Sequence, residues 1–389
     1  MEQFRKLKQW FSEKFQHDSL IYRIVDKTYH WLSSIKYDLT HSSSVKNAKQ
    51  RRHFAKQVKN AIKIINEQYK DSEYIALYNP TWLGVANSTK GLFTNTVPLE
   101  QVFGRLKIRA VAKAIIKANI KTIIFSQIVD GWVDVLKKVK KSNPNVKIKV
   151  IWHANNFEVM SDYTWDLNKK VLKLYDEKYI DEFAFVKKSM VEFYNRAGYK
   201  ARYLTNNVHL DESQMKSNKQ TDFNRIQVGV YNANSRELKN VYNQLCAVKL
   251  IDGAIADIVP TNEQITKFAK MINLEHTSLP DYIDTKDLLN RCIENDINSY
   301  ITFTECSPMV PLESFEAGVP CLVGSNNDYF QNSKLKSYVV VEREDDPVYI
   351  KDKMIECLKN KEEVMELYKQ WKEQYDEDCK RYVKEFIED

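Results

Sequence analysis

Three glutamates and three prolines lie within residues 305–321, ECSPMVPLESFEAGVPC, in a chain of 389 residues with only nine prolines and nine glycines. Two of these glutamates, Glu305 and Glu313, are eight residues apart, with a proline-stiffened bend between them. Ionised carboxylates accept hydrogen bonds, and sugar hydroxyls can donate them. We therefore expect Glu305 and Glu313 to face one pocket that holds a sugar.

The same segment predicts an anion-binding helix start. Pro311 suits the first turn of a helix, because its missing N–H would have no partner there. Gly318 stands where a C-terminal cap is expected and Pro320 follows it, so the predicted helix is short and carries Glu313 in its first turn. Such a turn presents unpaired N–H groups and the positive end of the helix dipole. A phosphate or a diphosphate suits that position.

Alternating strands and helices must position this segment. From Tyr74 onwards, apolar strand-like runs alternate with helical patterns, which implies βαβ units and mainly parallel sheets. The predicted fold class is α/β, with two Rossmann-like doubly wound domains that face each other across a cleft. Ligands of such sheets bind beyond the carboxyl ends of the strands. The predicted strands are 74–80, 121–127, 147–155, 181–186, 201–208, 226–232, 253–260, 274–280, 299–304, 321–324 and 338–341.

The polar segment LDESQMKSNKQTDFN at 210–224 has no apolar period and predicts a linker between the two domains. Around it, the predicted division of the chain is a basic helical N-terminal segment at 1–70, a first domain at 71–209, a second domain at 225–370 and a C-terminal helix at 371–389.

Composition excludes several classes of protein. No run of eighteen apolar residues exists, so no helix is expected to span a membrane, and the start of the chain does not resemble a signal peptide. The six cysteines are widely spaced without a CxxC pair, which predicts reduced thiols in a cytosolic protein.

The net charge of +7 is concentrated at the N-terminus, where residues 1–70 contain fifteen Lys or Arg and six Asp or Glu. One interpretation is docking on an anionic membrane surface. The other is a helical layer packed on the first domain, with its charged faces solvated. We expect no nucleic acid as a partner, because no known reader motif accompanies the basic residues.

Glu305 and Glu313, followed by AGVPCLVG, resemble the E-x7-E motif of retaining GT-B glycosyltransferases of the group 1 (GT4-like) type. The likeness extends over about residues 74–370. It implies that Glu305 contacts the transferred sugar and that Glu313 contacts the ribose of the nucleotide. It also implies that the loop backbone between them meets the sugar and the diphosphate, through Cys306, Ser307, Met309 and Val310.

Three other stretches extend the resemblance. VGVYNANSRELKN resembles the start of the donor-binding domain, and Lys239 matches the lysine that grips the diphosphate there, with Arg236 one helical turn away. TWLGVANSTKGLF resembles the glycine-bearing loop after the first strand and matches Gly84. IWHAN resembles the strand end that delivers a histidine to the cleft and matches His153. From the residues alone, Lys239 could be a surface lysine, His153 a core residue and Gly84 a helix start.

The resemblance implies a hexosyltransferase that moves a hexose from a UDP- or other nucleotide-sugar to an acceptor hydroxyl with retention. It implies no cofactor and no essential metal, with Glu305 and His153 as the catalytic residues and the first domain on the acceptor side. For the acceptor we expect a bacterial surface polysaccharide or a lipid-linked glycan. The expected location is the cytoplasm, at the inner face of the cell membrane.

Two alternatives remain open at this stage. The usual glycine after the first glutamate is replaced by Cys306-Ser307-Pro308, and the usual arginine position is occupied by Asn234. Because of these departures, a catalytically silent GT-B partner or glycan-binding protein remains an alternative. A nucleotide-sugar epimerase on the same fold is the other alternative.

Overall fold

A computed structural model describes residues 48–388, except for 157–161, 209, 211–215, 232–236, 281–282 and 284. The described residues form two six-stranded, fully parallel sheets with helices packed on them. This arrangement confirms the predicted α/β fold class with two Rossmann-like units.

The first sheet has the strand order β2-β1-β3-β4-β5-β6. Its strands are β1 (Tyr74–Tyr78), β2 (Thr96–Pro98), β3 (Thr122–Ser126), β4 (Lys147–Trp152), β5 (Glu182–Phe185) and β6 (Ala201–Tyr203). Its helices are α1 (Ala48–Gln68), α2 (Leu83–Leu92), α3 (Arg105–Lys117), α4 (Trp132–Ser142), α5 (Asp162–Asp176) and α6 (Lys188–Arg196).

Strands of the first sheet are buried on both faces because helices cover each side, and this explains their continuous apolar runs. Helix α1 contributes the fully buried Ala61 and Ile65 to the larger core cluster. Within the N-terminal segment 1–70, which was predicted to be helical, Ala48–Gln68 form a helix. Residues 1–47 of that segment lie outside the described part of the chain.

The second sheet has the strand order β12-β11-β10-β7-β8-β9. Its strands are β7 (Gln227–Tyr231), β8 (Ile255–Val259), β9 (His276–Ser278), β10 (Ile297–Tyr300), β11 (Cys321–Gly324) and β12 (Val340–Val341). Its helices are α7 (Val241–Lys249), α8 (Glu263–Met271), α9 (Thr285–Cys292), α10 (Met309–Glu316), α11 (Lys336–Val339), α12 (Pro347–Lys359) and α13 (Lys361–Glu388).

Helix α13 connects the two sheets. Near its start Val364 and Tyr368 pack in the core of the second sheet, and near its end Phe386 packs against the first. The ammonium of Lys149 on β4 donates to the carbonyl of Phe386 and lies 2.9 Å from Glu182 Oε2 on β5. This buried cation thus holds the last turn of α13 on the first sheet.

Several strand boundaries differ from the sequence prediction. The run 299–304 was expected to be a strand, but β10 covers Ile297–Tyr300 and the chain then leaves the sheet. Phe303 N donates instead to Leu238 O at 2.9 Å, so the chain beyond Tyr300 pairs with a neighbouring turn. Strand β2 was not predicted, and the predicted strand 338–341 begins as the end of α11. No helix among the described residues is both long and apolar enough to cross a bilayer.

Candidate active site

Lys239, Tyr300 and Glu305 form a compact charged cluster. Lys239 Nζ lies 2.5 Å from Glu305 Oε2, and the Tyr300 hydroxyl lies 3.2 Å from Lys239 Nζ and 3.1 Å from the same carboxylate oxygen. The Lys239 side chain is only 6% exposed and that of Glu305 15%. Lys239, which the sequence offered as either a diphosphate ligand or a surface lysine, is therefore a buried cation.

Backbone contacts bring this cluster together. Residues Glu237–Lys239 form a single 3-10 turn that ends at Asn240, whose φ of 54° is left-handed. The fully buried side chain of Gln244 donates to Lys239 O at 3.0 Å and to Ile301 O at 2.9 Å. One buried amide thus fixes the turn that bears Lys239 against the segment that leads to Glu305.

Electrostatics keep Lys239 charged. Burial disfavours its charged form, but the adjacent Tyr300 and Glu305 outweigh burial, so the pKa of Lys239 is raised. Burial, followed by the Glu305 charge, raises the pKa of Tyr300 as well, which leaves Tyr300 a neutral hydrogen-bonding hydroxyl. The cluster therefore presents a fixed positive charge paired with one carboxylate.

The loop that carries Glu305 is also held by the first sheet. Lys187, at the N-terminal end of α6, donates from Nζ to Glu305 O at 2.9 Å and to Asn326 O at 2.7 Å. Asn155 Nδ2, just past β4, donates to Thr304 Oγ1 at 3.1 Å. The Glu305 loop is therefore positioned by residues of both sheets and lies where the two sheets meet.

Glu313 is the fifth residue of α10, one position beyond the first turn in which the sequence placed it. Its side chain is buried, with 4% of the residue exposed, and among the described residues no donor bonds its carboxylate. Burial raises the pKa of Glu313 to about 7. A ligand that donates hydrogen bonds to this carboxylate would compensate for the lost hydration.

The N-terminus of α10 is uncapped. Pro308 occupies the cap position in an extended conformation, and no side chain of the described residues accepts a hydrogen bond from the first turn. Met309 and Val310 are the first two helical residues, and both are half-buried. Val310 packs on an apolar cluster that includes Tyr231, while its N–H points out of the helix start. The helix start expected here is thus present, and its binding of an anion stays a prediction.

Ser307 lies in the interface between the sheets. Its hydroxyl accepts from Asn206 N at 3.1 Å and bonds the Tyr329 hydroxyl at 2.7 Å and Thr205 Oγ1 at 3.2 Å. The Asn206 side chain in turn donates to Ser307 O. The Ser307 side chain therefore bonds across the interface between the two sheets, and the contact of its backbone with the donor substrate stays a prediction.

His153 follows β4 at the carboxyl edge of the first sheet. Its Nε2 lies 2.8 Å from Ser126 Oγ, and Ser126 Oγ lies 2.6 Å from Thr89 Oγ1, so one ring nitrogen is used inside the protein. The residue as a whole is half-buried. Burial lowers the pKa of His153 to about 4. At neutral pH the residue is therefore an uncharged imidazole.

For the two remaining residues that were predicted to bind the donor substrate, the structure shows fewer contacts. Gly84 is the exposed second residue of α2, and a Cβ built there meets no atom within 4 Å. Arg236 lies outside the described residues. The roles assigned to both stay predictions.

Two residues of this region were not identified from the sequence. Tyr300 ends β10 and bonds both members of the ion pair, and Lys187 directly precedes α6 after β5. Both follow or end strands at the carboxyl edge of a parallel sheet, where side chains meet ligands. Their positions at the ends of predicted strands could therefore have identified them from the sequence.

The sequence matches no protein-family model and no curated protein. Solved structures share the fold. Anabaena HepE, in complex with UDP and glucose, superposes with a TM-score of 0.57 at 11% identity, covering 81% of this chain and 99% of that one. The trehalose-6-phosphate synthase OtsA gives 0.54 at 10% identity, covering 81% and 98%.

Sucrose-phosphate synthase from Thermosynechococcus elongatus gives a TM-score of 0.51 at 12% identity, covering 77% of this chain and 93% of that one. At such low identity the likeness concerns the fold and not the activity. These three structures are GT-B glycosyltransferases with two Rossmann-like domains. The chain therefore has the GT-B fold.

Proposed function

We propose that this protein is a hexosyltransferase that transfers a hexose from a nucleotide-sugar to an acceptor hydroxyl with retention of the anomeric configuration. The observation that carries the proposal is the buried Lys239–Glu305 pair, 2.5 Å between Nζ and Oε2, whose Glu305 lies in the loop that leads into the start of α10. A carboxylate paired with a buried cation thus lies four residues before this helix start, in a loop that residues of both sheets hold in place.

In the proposed reaction, the bond between the anomeric carbon and the diphosphate oxygen breaks and a bond to the acceptor oxygen forms. The acceptor proton passes to the departing phosphate oxygen. Negative charge develops on the diphosphate, and fixed positive groups that face it lower the barrier. Lys239 and the N–H groups of Met309 and Val310 would supply this stabilisation without a metal ion.

The carboxylates would bind hydroxyl groups. Glu305 keeps Oε1 bonded to Cys306 N at 3.1 Å and Oε2 to Lys239, so its carboxylate is fixed in orientation. Oε2 also accepts from the Tyr300 hydroxyl, so the second acceptor site of Oε1 is the one through which Glu305 can orient the transferred sugar. Glu313, buried without a donor among the described residues, would accept from the ribose hydroxyls. Neutral His153 would line the acceptor side.

UDP-hexoses are the first donors to test. HepE was solved with UDP and glucose, and an E. coli structure related to trehalose-6-phosphate synthesis was solved with UDP-2-fluoro glucose, at a TM-score of 0.52 and 11% identity. For the acceptor we propose a cell-surface polysaccharide or a lipid-linked glycan that is made on the cytoplasmic side of the membrane.

The test is a panel of nucleotide-sugars screened by thermal shift, since a ligand that binds only the folded state raises its stability. Donors that bind are then assayed for release of nucleotide and sugar, and the anomeric configuration of any product is read by NMR. Glu305→Ala and Lys239→Ala should abolish turnover, whereas the exposed Lys267→Ala should not. Interconversion of the nucleotide-sugar would identify an epimerase instead, and binding without turnover would identify a silent partner.

A further inference from the structure

Helices α3 and α4 present a surface of almost entirely positive charge on the outer side of the first sheet. Together they contain nine Lys or Arg and a single acidic residue, Asp134. Two of the nine are neutralised within the fold: Lys137 Nζ lies 3.9 Å from Glu177 Oε2 and Lys140 Nζ lies 2.8 Å from Asp181 Oδ2. The other seven have no carboxylate partner among the described residues.

Four of these cations converge on one groove. Arg109 and Lys113 of α3 and Lys138 and Lys141 of α4 line a surface groove of about 440 Å³. Within the described part of the chain, none of the four pairs with a carboxylate. Like charges held this close repel one another, so an anionic partner would relieve the repulsion.

Exposed apolar side chains flank the same cations. Leu106 is 80% exposed and Ile116 is 36% exposed. Leu106, Arg109, Lys113 and Ile116 are spaced by three, four and three residues along α3 and therefore lie on one helix face. A helix face that combines cations with exposed leucine and isoleucine suits the interface of a bilayer, where headgroups meet the cations and acyl chains meet the apolar groups.

We propose that this α3–α4 surface docks the protein on an anionic membrane, with lipid headgroup phosphates in the groove lined by Arg109, Lys113, Lys138 and Lys141. Charge complementarity favours a membrane over the protein's own N-terminal segment as the occupant. Residues 1–47 contain eight Lys or Arg and five Asp or Glu, so they carry the same sign as the groove. A nucleic acid would match the cations but leave Leu106 and Ile116 exposed.

Docking through this surface would orient the cleft. Helices α3 and α4 each begin at the carboxyl edge of the first sheet, the edge at which His153 follows β4. The groove is lined by the C-terminal parts of both helices, so a membrane that contacts it lies beside the first domain, which the proposed function gives to the acceptor, with the carboxyl edge directed away from it. The docking itself does not depend on the proposed donor chemistry.

The experiment is sedimentation of the full chain with vesicles at low salt. The expected result is binding to vesicles of phosphatidylglycerol and phosphatidylcholine in equal parts, and no binding to pure phosphatidylcholine. Replacing Arg109, Lys113, Lys138 and Lys141 together by alanine should lower the partition coefficient roughly a hundredfold or more, because each cation at an anionic surface contributes about fivefold. Leu106→Ala should lower the part of the binding that survives high salt.

Two control variants with the same number of alanine substitutions show whether vesicle binding depends on the α3–α4 surface. Alanines at the exposed Lys267, Lys270, Lys286 and Lys359, on helices of the second sheet, remove the same charge and should leave vesicle binding unchanged. Alanines at Arg5, Lys6, Lys8 and Lys14 test the N-terminal segment in the same assay. Loss of binding in this last variant, with retention in the α3–α4 variant, would overturn the proposal.

A nucleic-acid partner would also be visible. A labelled single-stranded RNA that binds the full chain but not the α3–α4 variant, together with an absence of vesicle binding, would assign the surface to nucleic acid instead. Thermal unfolding of each variant checks that the fold is intact. Failure of docking with donor turnover preserved would leave the proposed function standing, and the reverse result would leave the docking surface standing.

Discussion

Lys239 and Glu305, 66 positions apart in sequence, form an ion pair of 2.5 Å between Nζ and Oε2, and the Tyr300 hydroxyl bonds both partners. With side chains only 6% and 15% exposed, each charge depends on the other for compensation. A buried pair of this kind contributes little net stability as a whole, whereas removal of one partner is costly. The pair therefore provides a preformed charge distribution that a donor substrate would meet.

This dependence predicts a non-additive mutant cycle. Lys239→Met and Glu305→Gln should each lower the free energy of unfolding by about 3 kcal/mol, because each leaves the other charge buried without its partner. The double variant should cost clearly less than the sum of the two. Urea unfolding of the four proteins measures the coupling. Strictly additive losses would mean that the two side chains do not interact in solution.

Glu313 should make stability depend on pH in the direction opposite to that of a salt-bridged acid. Its folded pKa of about 7 lies above the unfolded value, so the folded state holds more protons between the two values. Stability should therefore fall as the pH rises from about 4.5 to about 7, by up to about 3 kcal/mol. Glu313→Gln should lose this slope in urea unfolding, and an unchanged slope in the variant would assign it to another group.

Nucleotide binding should release a proton from the same carboxyl. If ribose hydroxyls donate to Glu313, binding favours the ionised form and lowers its pKa. Affinity for a nucleoside diphosphate should therefore rise with pH up to about 7 in the wild type. The diphosphate also titrates, but its contribution is the same in the wild type and in Glu313→Gln, so the difference between the two proteins reports on Glu313. Calorimetry in buffers of different ionisation enthalpy counts the protons, and equal counts in both proteins would place the ribose elsewhere.

His153 should make the protein less stable at acid pH. Burial lowers its folded pKa to about 4, below the unfolded value, so the unfolded state binds the proton more readily. Stability from this residue is present above about pH 6.5 and is lost as the pH falls towards about 4, by about 2 kcal/mol once its partial exposure is allowed for. His153→Gln can keep a bond to Ser126 and should lose less stability over this range. A larger loss in the variant would contradict the neutral imidazole.

Ser307 should behave as a structural contact between the sheets. Ser307→Ala leaves Asn206 N without its acceptor and should lower the free energy of unfolding by about 2 kcal/mol. The matched control is Ser325→Ala, whose exposed hydroxyl bonds Glu344 and whose loss should cost less than about 0.5 kcal/mol. Equal effects in thermal or urea unfolding would show that the Ser307 network is not formed in solution.

Most of the architecture could be read from the sequence, because apolar runs of strand length alternate with helical periods and parallel strands must be buried on both faces. Strands such as β11, Cys321–Gly324, are found where they were expected. Short edge strands such as β2 and β12 were missed or misplaced, because two or three residues carry too little periodicity to separate a strand from a turn.

The E-x7-E spacing and its proline-rich bend were visible in the sequence alone, and they drew attention to Glu305, Glu313 and the start of α10. The partners of these groups could not be read there. Tyr300 and Lys187 reach Glu305 only because the chain folds, Lys187 from the other sheet. Local sequence therefore determined which elements form, since periodicity and turn residues act over a few positions. The tertiary structure decided which charges meet, because burial and pairing depend on residues far apart along the chain.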